Sequence, residues 1–282
     1  MSTNIPVITL NDGLDIPAIG LGTYSLNGFS GVESIKSGIE EGYRLIDSAF
    51  NYENEGAVGR AVREASVPRE QLRICSKLPG RHHESDKALR TIEESLLRTG
   101  LDYFDLYIIH WPNPKQGKYV EAWQALIEAR KRGYVRSIGV SNFLPEHLDR
   151  IVAETGAAPS LNQVELHPYF DQAVQREANA KYGIVTESWS PLGRGKGEGV
   201  LEDSGVQAIA AAHGKTPTQV ILRWHTQLGA VPIPKAGSRE HQRENLDLFD
   251  FKLTNEQMKT ISAFSKDNKR LWDQDPAEYE EF

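Results

Sequence analysis

Eight short β-rich runs recur along the chain, ending near Leu21, Asp47, Lys77, His110, Val140, Glu165, Trp189 and Ile233. Most are separated by about 25 to 35 residues, the length of one crossover helix with its two loops. Antiparallel hairpins need only about two to five connecting residues, so this rhythm points to parallel strands. The intervening segments carry helical patterns. Val32, Ile35 and Ile39 share a face, and Gly42 offers a left-handed stop. Leu89, Ile92, Leu96 and Leu97 form a second face before Gly100, and Tyr119, Trp123, Leu126 and Ile127 a third before Gly133. Pro145 suits a first helical turn ahead of Leu148, Ile151 and Val152. Thr216-Pro217-Thr218-Gln219 and Thr254-Asn255-Glu256-Gln257 both have capping-box spacing.

Eight strand–helix units without a Pro-, Ser- or charge-rich linker predict one α/β domain over residues 1–282. The expected architecture is a (β/α)8 barrel of the TIM type, not a doubly wound sheet. Val7 to Leu10, the turn Asn11-Asp12-Gly13 and Leu14 to Ile16 predict an N-terminal β-hairpin. Gly193 to Gly199 reads as a loop after the seventh strand. The acidic, aromatic stretch Leu271 to Phe282 reads as lying over a surface.

Charge and composition narrow the partners. Lys and Arg total 32 against 39 Asp and Glu, a net charge of −7. That balance disfavours nucleic acid, which needs a basic surface. No apolar run approaches the roughly 20 residues of a membrane span. Met1 to Pro6 lacks the basic and apolar regions of a secretory signal. The single cysteine, Cys75, cannot form an internal disulfide or start a Cys-based zinc site. We therefore expect a cytoplasmic monomer that binds a small molecule, with no metal, nucleic acid or membrane partner. Several motifs are incomplete. Gly20-Leu21-Gly22 lacks the third glycine of a dinucleotide fingerprint, and Gly214-Lys215-Thr216 lacks the first glycine of a P-loop. Ser190 is not in a nucleophile elbow.

Active sites of α/β barrels lie at the carboxyl ends of the strands. Here those ends carry Asp47, Lys77, His110, Ser141 with Asn142, Gln163 and Trp189. Tyr52 follows Asp47 on the next loop. A tyrosine beside a lysine is equipped for general acid–base work, since a nearby ammonium favours the phenolate and lowers the phenol pKa from about 10. Asp47 is placed to hold Lys77, and a neutral His110 to donate to a substrate oxygen. Each residue alone has a plainer reading. Asp47 and Lys77 make a structural ion pair, His110 and Trp189 core packing, Ser141-Asn142 a helix cap, and Lys235 a solvated charge. Cys75 reads as buried packing. Another catalytic reading makes Lys77 the Schiff-base residue of a lyase or isomerase.

Over nearly the whole chain the sequence resembles the aldo-keto reductases. The resemblance rests on Gly20-Leu21-Gly22-Thr23, Asp47-Ser48-Ala49 with Tyr52 and Asn54-Glu55, Lys77, and Ile108-Ile109-His110-Trp111-Pro112. It continues through Gly139 to Phe143, Asn162-Gln163-Val164-Glu165, Trp189 to Gly193 and Ile233-Pro234-Lys235. The likeness is nearest to the bacterial branch with 2,5-diketo-D-gluconate reductases and short-tailed aldehyde reductases. It implies an oxidoreductase that reduces aldehydes and ketones to alcohols, taking hydride from C4 of a nicotinamide. Tyr52 would be the proton donor, tuned by Asp47 and Lys77, with His110 orienting the carbonyl. Gly22 and Thr23 would border the NADPH. Ser141, Asn142 and Gln163 would bond the nicotinamide carboxamide, and Trp189 would stack on its ring. Ser190, Leu192 and Gly193 would line the pyrophosphate loop. Lys235, Ser238 and the position of His241 would meet the 2′-phosphate, and Glu244 and Asn245 the adenine. Tyr24, Asn51 and Trp111 would wall the substrate pocket.

Two positions depart from the family pattern. Ala236 replaces the usual serine, and His241 stands where an arginine commonly binds the 2′-phosphate. A fixed guanidinium fork is thereby lost, so NADH is expected to serve as well. Arg239 and Arg243 stand near enough in sequence to compensate. The same barrel also implies an alternative, a non-enzymatic nucleotide-binding or structural protein.

Overall fold

The computed structural model describes residues 5–193, 199–266 and 270–282. It begins with the antiparallel hairpin of β1 (Val7–Thr9) and β2 (Asp15–Pro17), with Ile8 opposite Ile16. Eight parallel strands follow in sequence order: β3 (Leu21–Gly22), β4 (Leu45–Asp47), β5 (Arg73–Leu78), β6 (Phe104–Ile109), β7 (Val135–Ser141), β8 (Leu161–Glu165), β9 (Val185–Trp189) and β10 (Val231–Pro232). The sheet closes on itself. Gly20 N donates to Pro232 O at 3.0 Å, Gly22 N donates to Pro234 O at 3.1 Å, and Gly22 bridges to Lys235. The seam needs glycine, because a Cβ on Gly22 would lie 2.8 Å from Ile233 O. This is the expected (β/α)8 barrel with its N-terminal hairpin.

The crossovers are α1 (Gly28–Glu41), α2 (Glu55–Glu64), α3 (Ser85–Thr99), α4 (Tyr119–Lys131), α5 (Pro145–Thr155), α6 (Ala173–Lys181), α7 (Ser204–His213) and α8 (Pro217–Gln227). After β10 come α9 (Arg239–Leu246) and α10 (Asn255–Ser262). Both capping boxes form, at Thr216 with Gln219 and at Thr254 with Gln257, and Pro145 opens α5. Gly100 ends α3 in the left-handed region at φ 66°. Of the expected α3 face, Ile92 is buried and Leu89 and Leu96 pack against the core, but Leu97 does not. The buried stripe of α3 runs Ala88, Thr91, Ile92, Ser95 and Thr99, which leaves Leu97 76% exposed. Among the described residues no helix is long and apolar enough to cross a membrane.

Strand alternation explains how the barrel holds both a core and a site. Residues i and i+2 face the same side. Leu45 and Asp47, Cys75 and Lys77, Leu161 and Gln163, and Val185 and Glu187 are such pairs. The first of each pair belongs to an apolar layer with Leu106, Ile108 and Val231, which Leu10 and Ile16 of the hairpin complete from below. The second reaches the carboxyl end. Cys75 is buried in the apolar layer, as packing.

Candidate active site

A cavity of about 730 Å³ opens at the carboxyl ends of the strands. Behind Asp47 and Tyr52 of its wall lies Lys77, fully buried although charged. Nζ donates to Asp47 Oδ2 at 2.6 Å, to Ser48 O at 2.7 Å and to Tyr52 Oη at 3.4 Å. Tyr52 ends a single 3-10 turn, Phe50–Tyr52, followed by Glu53 in the left-handed region at φ 55°. Asn54 ties this turn to the barrel: it accepts from Ser48 Oγ at 2.7 Å and donates to Thr23 O at 2.7 Å. Thr23 is fully buried and donates to Asp47 O at 2.8 Å, so it supports the wall from behind.

The electrostatics differ from expectation. The Tyr52 phenol is pushed up to about 12, not lowered. Burial is the dominant cause, and it outweighs the opposing pull of Lys77. For Lys77, burial opposes the charged form, yet Asp47 together with the neighbouring Tyr52 and Cys75 outweighs it and the net shift is upward. A Schiff-base lysine needs a depressed pKa, so this environment argues against that role.

The polar set continues inward. Gln163 Nε2 donates to Asp47 Oδ1 at 2.8 Å and also to Glu187 Oε2. Both its amide hydrogens are thus spent inside the protein, which leaves Oε1 as an acceptor. Trp189 Nε1 donates to Asn142 Oδ1 at 2.8 Å, which fixes the plane of the indole. Ser141 Oγ donates to Gln163 O at 2.8 Å. Asn142 and Ser190 sit at φ 60° and 49°, a strained conformation for residues other than glycine. Such strain concentrates at functional sites. Gly22, Tyr24, Asn51, Trp111, Ser190, Leu192, Gly193 and Lys235 also line the cavity. Residues 194–198 of the expected loop lie outside the described residues.

Of the residues assigned by resemblance to the far end of a dinucleotide, Lys235 belongs to this lining, and Ser238, His241, Glu244 and Asn245 do not. Ser238 caps α9, accepting from His241 N at 3.3 Å, and His241 is exposed. Glu244 accepts from the Thr216 hydroxyl, and Asn245 is buried. Arg239 and Arg243 are committed elsewhere. Arg239 lies 3.1 Å from both Glu40 and Glu41, and Arg243 2.6 Å from Glu41.

The C-terminal stretch lies over the carboxyl-end face of the barrel and borders the cavity. Trp272, Gln274, Tyr279, Glu281 and Phe282 line the cavity. The Tyr279 and Trp111 rings are 4.4 Å apart. Glu281 Oε1 lies 2.7 Å from His110 Nδ1, in ion-pair contact although the approach falls outside strict hydrogen-bond geometry.

A profile of the Aldo/keto reductase family matches residues 18–266. The chain belongs to the aldo/keto reductase family. It is 52% identical over 278 residues to 2,5-diketo-D-gluconic acid reductase B of Corynebacterium sp. (strain SHS752001), which covers 99% of both chains. A crystal structure of a Gox0644 variant in complex with NADPH superimposes with a TM-score of 0.91, at 42% identity, covering 96% of this chain and 97% of the other. A Bombyx mori aldo-keto reductase in complex with NADP gives 0.87 at 35% identity, covering 93% of each.

Sequence reasoning missed two acidic residues of this aldo-keto reductase. Glu281 gives no sequence signal, since it meets Asn51 across 230 residues. Glu187 had one, the inward alternation Val185, Glu187, Trp189. Glu187 is fully buried, and its Oε1 has no partner. Burial first, then the Asp47 charge, raises it from the ordinary 4.5 to about 8. A carboxyl raised by folding holds its proton in the native state while the unfolded chain releases it. Its contribution to stability is full below 4.5 and is lost as pH rises towards about 8. Glu187→Gln is therefore expected to flatten the fall of melting temperature over that window, by on the order of a few kcal/mol at its upper end. Superimposable melting curves of pH dependence for the two proteins would refute this.

Proposed function

We propose that this aldo-keto reductase reduces small aldehydes and ketones to alcohols, with Tyr52 as the proton donor and a nicotinamide cofactor as reductant. The observation that carries the reading is the Tyr52 hydroxyl held 3.4 Å from a buried, Asp47-paired Lys77 at the wall of the cavity. A phenol near 12 keeps its proton at neutral pH, as an acid must before it donates. Lys77 then stabilises the phenolate left behind, in a site where water does not screen it. His110 and Tyr52 meet edge to face with centroids 5.8 Å apart, so both can address one carbonyl oxygen.

The residues present fit a nicotinamide. The remaining acceptor of Gln163 suits a carboxamide NH2, and the fixed Trp189 indole offers a stacking face. When bound, the cofactor supplies a hydride from nicotinamide C4. The protein's part is to present that ring at Trp189 and to deliver the proton from Tyr52. Because Lys77 stays charged, and Asp47, Tyr52 and His110 are all retained around one cavity, catalysis is favoured over a purely structural role for this barrel. A single cysteine favours a reducing compartment such as the cytoplasm.

The test is oxidation of NADPH and NADH, in parallel, against a panel of uncharged aldehydes. No turnover of any aldehyde with either cofactor would remove the reading. The cofactor ratio carries a second prediction. With Arg239 and Arg243 paired to α1, the 2′-phosphate falls to Lys235 and Ser238. His241→Arg is expected to raise the ratio of kcat/KM for NADPH over NADH by about tenfold or more, the equivalent of a charge-assisted hydrogen bond of about 1.5–3 kcal/mol. An unmoved ratio would show that another group already does this work.

A further inference from the structure

We propose that Glu281 is a specificity-determining residue: its carboxylate, fixed at the wall of the cavity, selects against carbonyl compounds that carry a negative charge and favours neutral or cationic ones. The inference rests on the reading of this cavity as the site of carbonyl reduction and narrows the substrate class within it.

Glu281 is built into the wall and is 7% exposed. Oε1 accepts from Asn51 Nδ2 at 2.8 Å, and Oε2 accepts from Gly80 N at 2.8 Å. The buried Asn113 holds its backbone at both polar atoms: Nδ2 donates to Glu281 O at 2.9 Å, and Oδ1 accepts from Glu281 N at 3.1 Å. One residue earlier, Glu280 accepts from Lys115 N at 2.6 Å. With both carboxylate oxygens and the backbone held, the side chain is not free to swing away from an incoming charge. Burial works against its ionisation, but His110, the Gly80 N–H and Asn51 outweigh it and hold the carboxyl below its ordinary value. A carboxyl is ordinarily ionised at neutral pH, and this one is kept so.

No fixed cation cancels that charge. Among the described residues no lysine or arginine pairs with Glu281, and its ion-pair contact is with His110. Arg81 is exposed, outside the cavity lining, and donates to Asn51 Oδ1 at 2.6 Å. Lys77 lies behind the wall and is paired with Asp47. Lys235 lines the cavity and donates to Ser25 Oγ at 3.1 Å, and in the proposed reading it is taken up by the 2′-phosphate. The substrate end offers instead the rings of Tyr24, Trp111 and Tyr279, whose faces attract cations and not anions.

The direction of the effect is independent of the protonation of His110. Exchange of Glu281 for glutamine removes one negative charge whichever form the ring holds. Inside a protein, unit charges several ångströms apart interact strongly enough to shift an equilibrium by about tenfold.

The experiment compares three para-substituted benzaldehydes on the full chain at saturating NADPH: 4-carboxybenzaldehyde, its uncharged methyl ester, and the cationic 4-(trimethylammonio)benzaldehyde. In Glu281→Gln the ratio of kcat/KM for the cation over the anion is expected to fall by about tenfold or more, with the two moving in opposite directions relative to the ester. A purely structural role moves all three alike, and that result overturns the proposal. The second readout is the affinity of wild type for the three matching benzyl alcohols, which is free of differences in aldehyde reactivity. Quenching of the tryptophans that line the cavity reports it. The anionic alcohol is expected to bind about tenfold more weakly than the ester, and equal binding overturns the proposal even where the variant does not fold. Failure of carbonyl reduction itself appears as no turnover of any aldehyde by wild type, while the alcohol affinities still decide the role of Glu281.

Discussion

Tyr52→Phe is expected to lower carbonyl turnover by about 10² to 10⁴ while leaving the affinity for NADPH close to wild type. The change removes one oxygen. Among the described residues that oxygen makes a single long hydrogen bond, accepting from Lys77 Nζ at 3.4 Å, so little else depends on it. The ring stays in place, because its edge-to-face contacts with Tyr24 at 5.1 Å and His110 at 5.8 Å do not involve the hydroxyl. Turnover and fluorescence titration with NADPH separate the two outcomes. A variant that keeps more than about a tenth of wild-type kcat would show that the proton comes from elsewhere.

Lys77→Met is expected to cost both activity and stability. Removing one partner of a buried ion pair leaves the other charge uncompensated, which typically costs about 3–5 kcal/mol. Asp47 is 2% exposed and would keep only the Gln163 amide as a side-chain donor. A fall in melting temperature on the order of 10 °C follows. The double variant Lys77→Met with Asp47→Asn removes the stranded charge. It is expected to recover much of the stability and none of the activity, because Tyr52 still lacks its ammonium. Recovery of turnover together with stability would mean that Lys77 serves the fold alone.

The barrel was legible because its signal is periodic and local. Strand spacing, the two capping boxes and the stop at Gly100 each depend on residues within a few positions. The polar ends of the strands were legible for the same reason: alternation carries Leu45 to Asp47 and Cys75 to Lys77 without any knowledge of the neighbours. What escaped depends on tertiary environment. The acidity of Tyr52 was misjudged because proximity to Lys77 follows from strand order, whereas desolvation follows from everything packed around the ring. Arg239 and Arg243 looked available until α1 brought Glu40 and Glu41 against them. The surface that the tail covers was not legible, because nothing local marks Glu281 as the residue that lines the cavity.

The apolar layer under the barrel has a kinetic consequence. In the proposed mechanism each reduction uses up the proton on Tyr52, and it must be replaced before the next. Leu10, Ile16, Leu45, Cys75, Leu106, Ile108, Leu161 and Val231 offer no relay from below. Lys77 directs its donors at Asp47, Ser48 and Tyr52, so it has no spare contact leading outward. The returning proton therefore arrives from bulk water through the same doorway that admits substrate and releases alcohol. In that scheme re-arming of the acid waits for the product to clear the cavity mouth, and this shared traffic sets the order of the cycle.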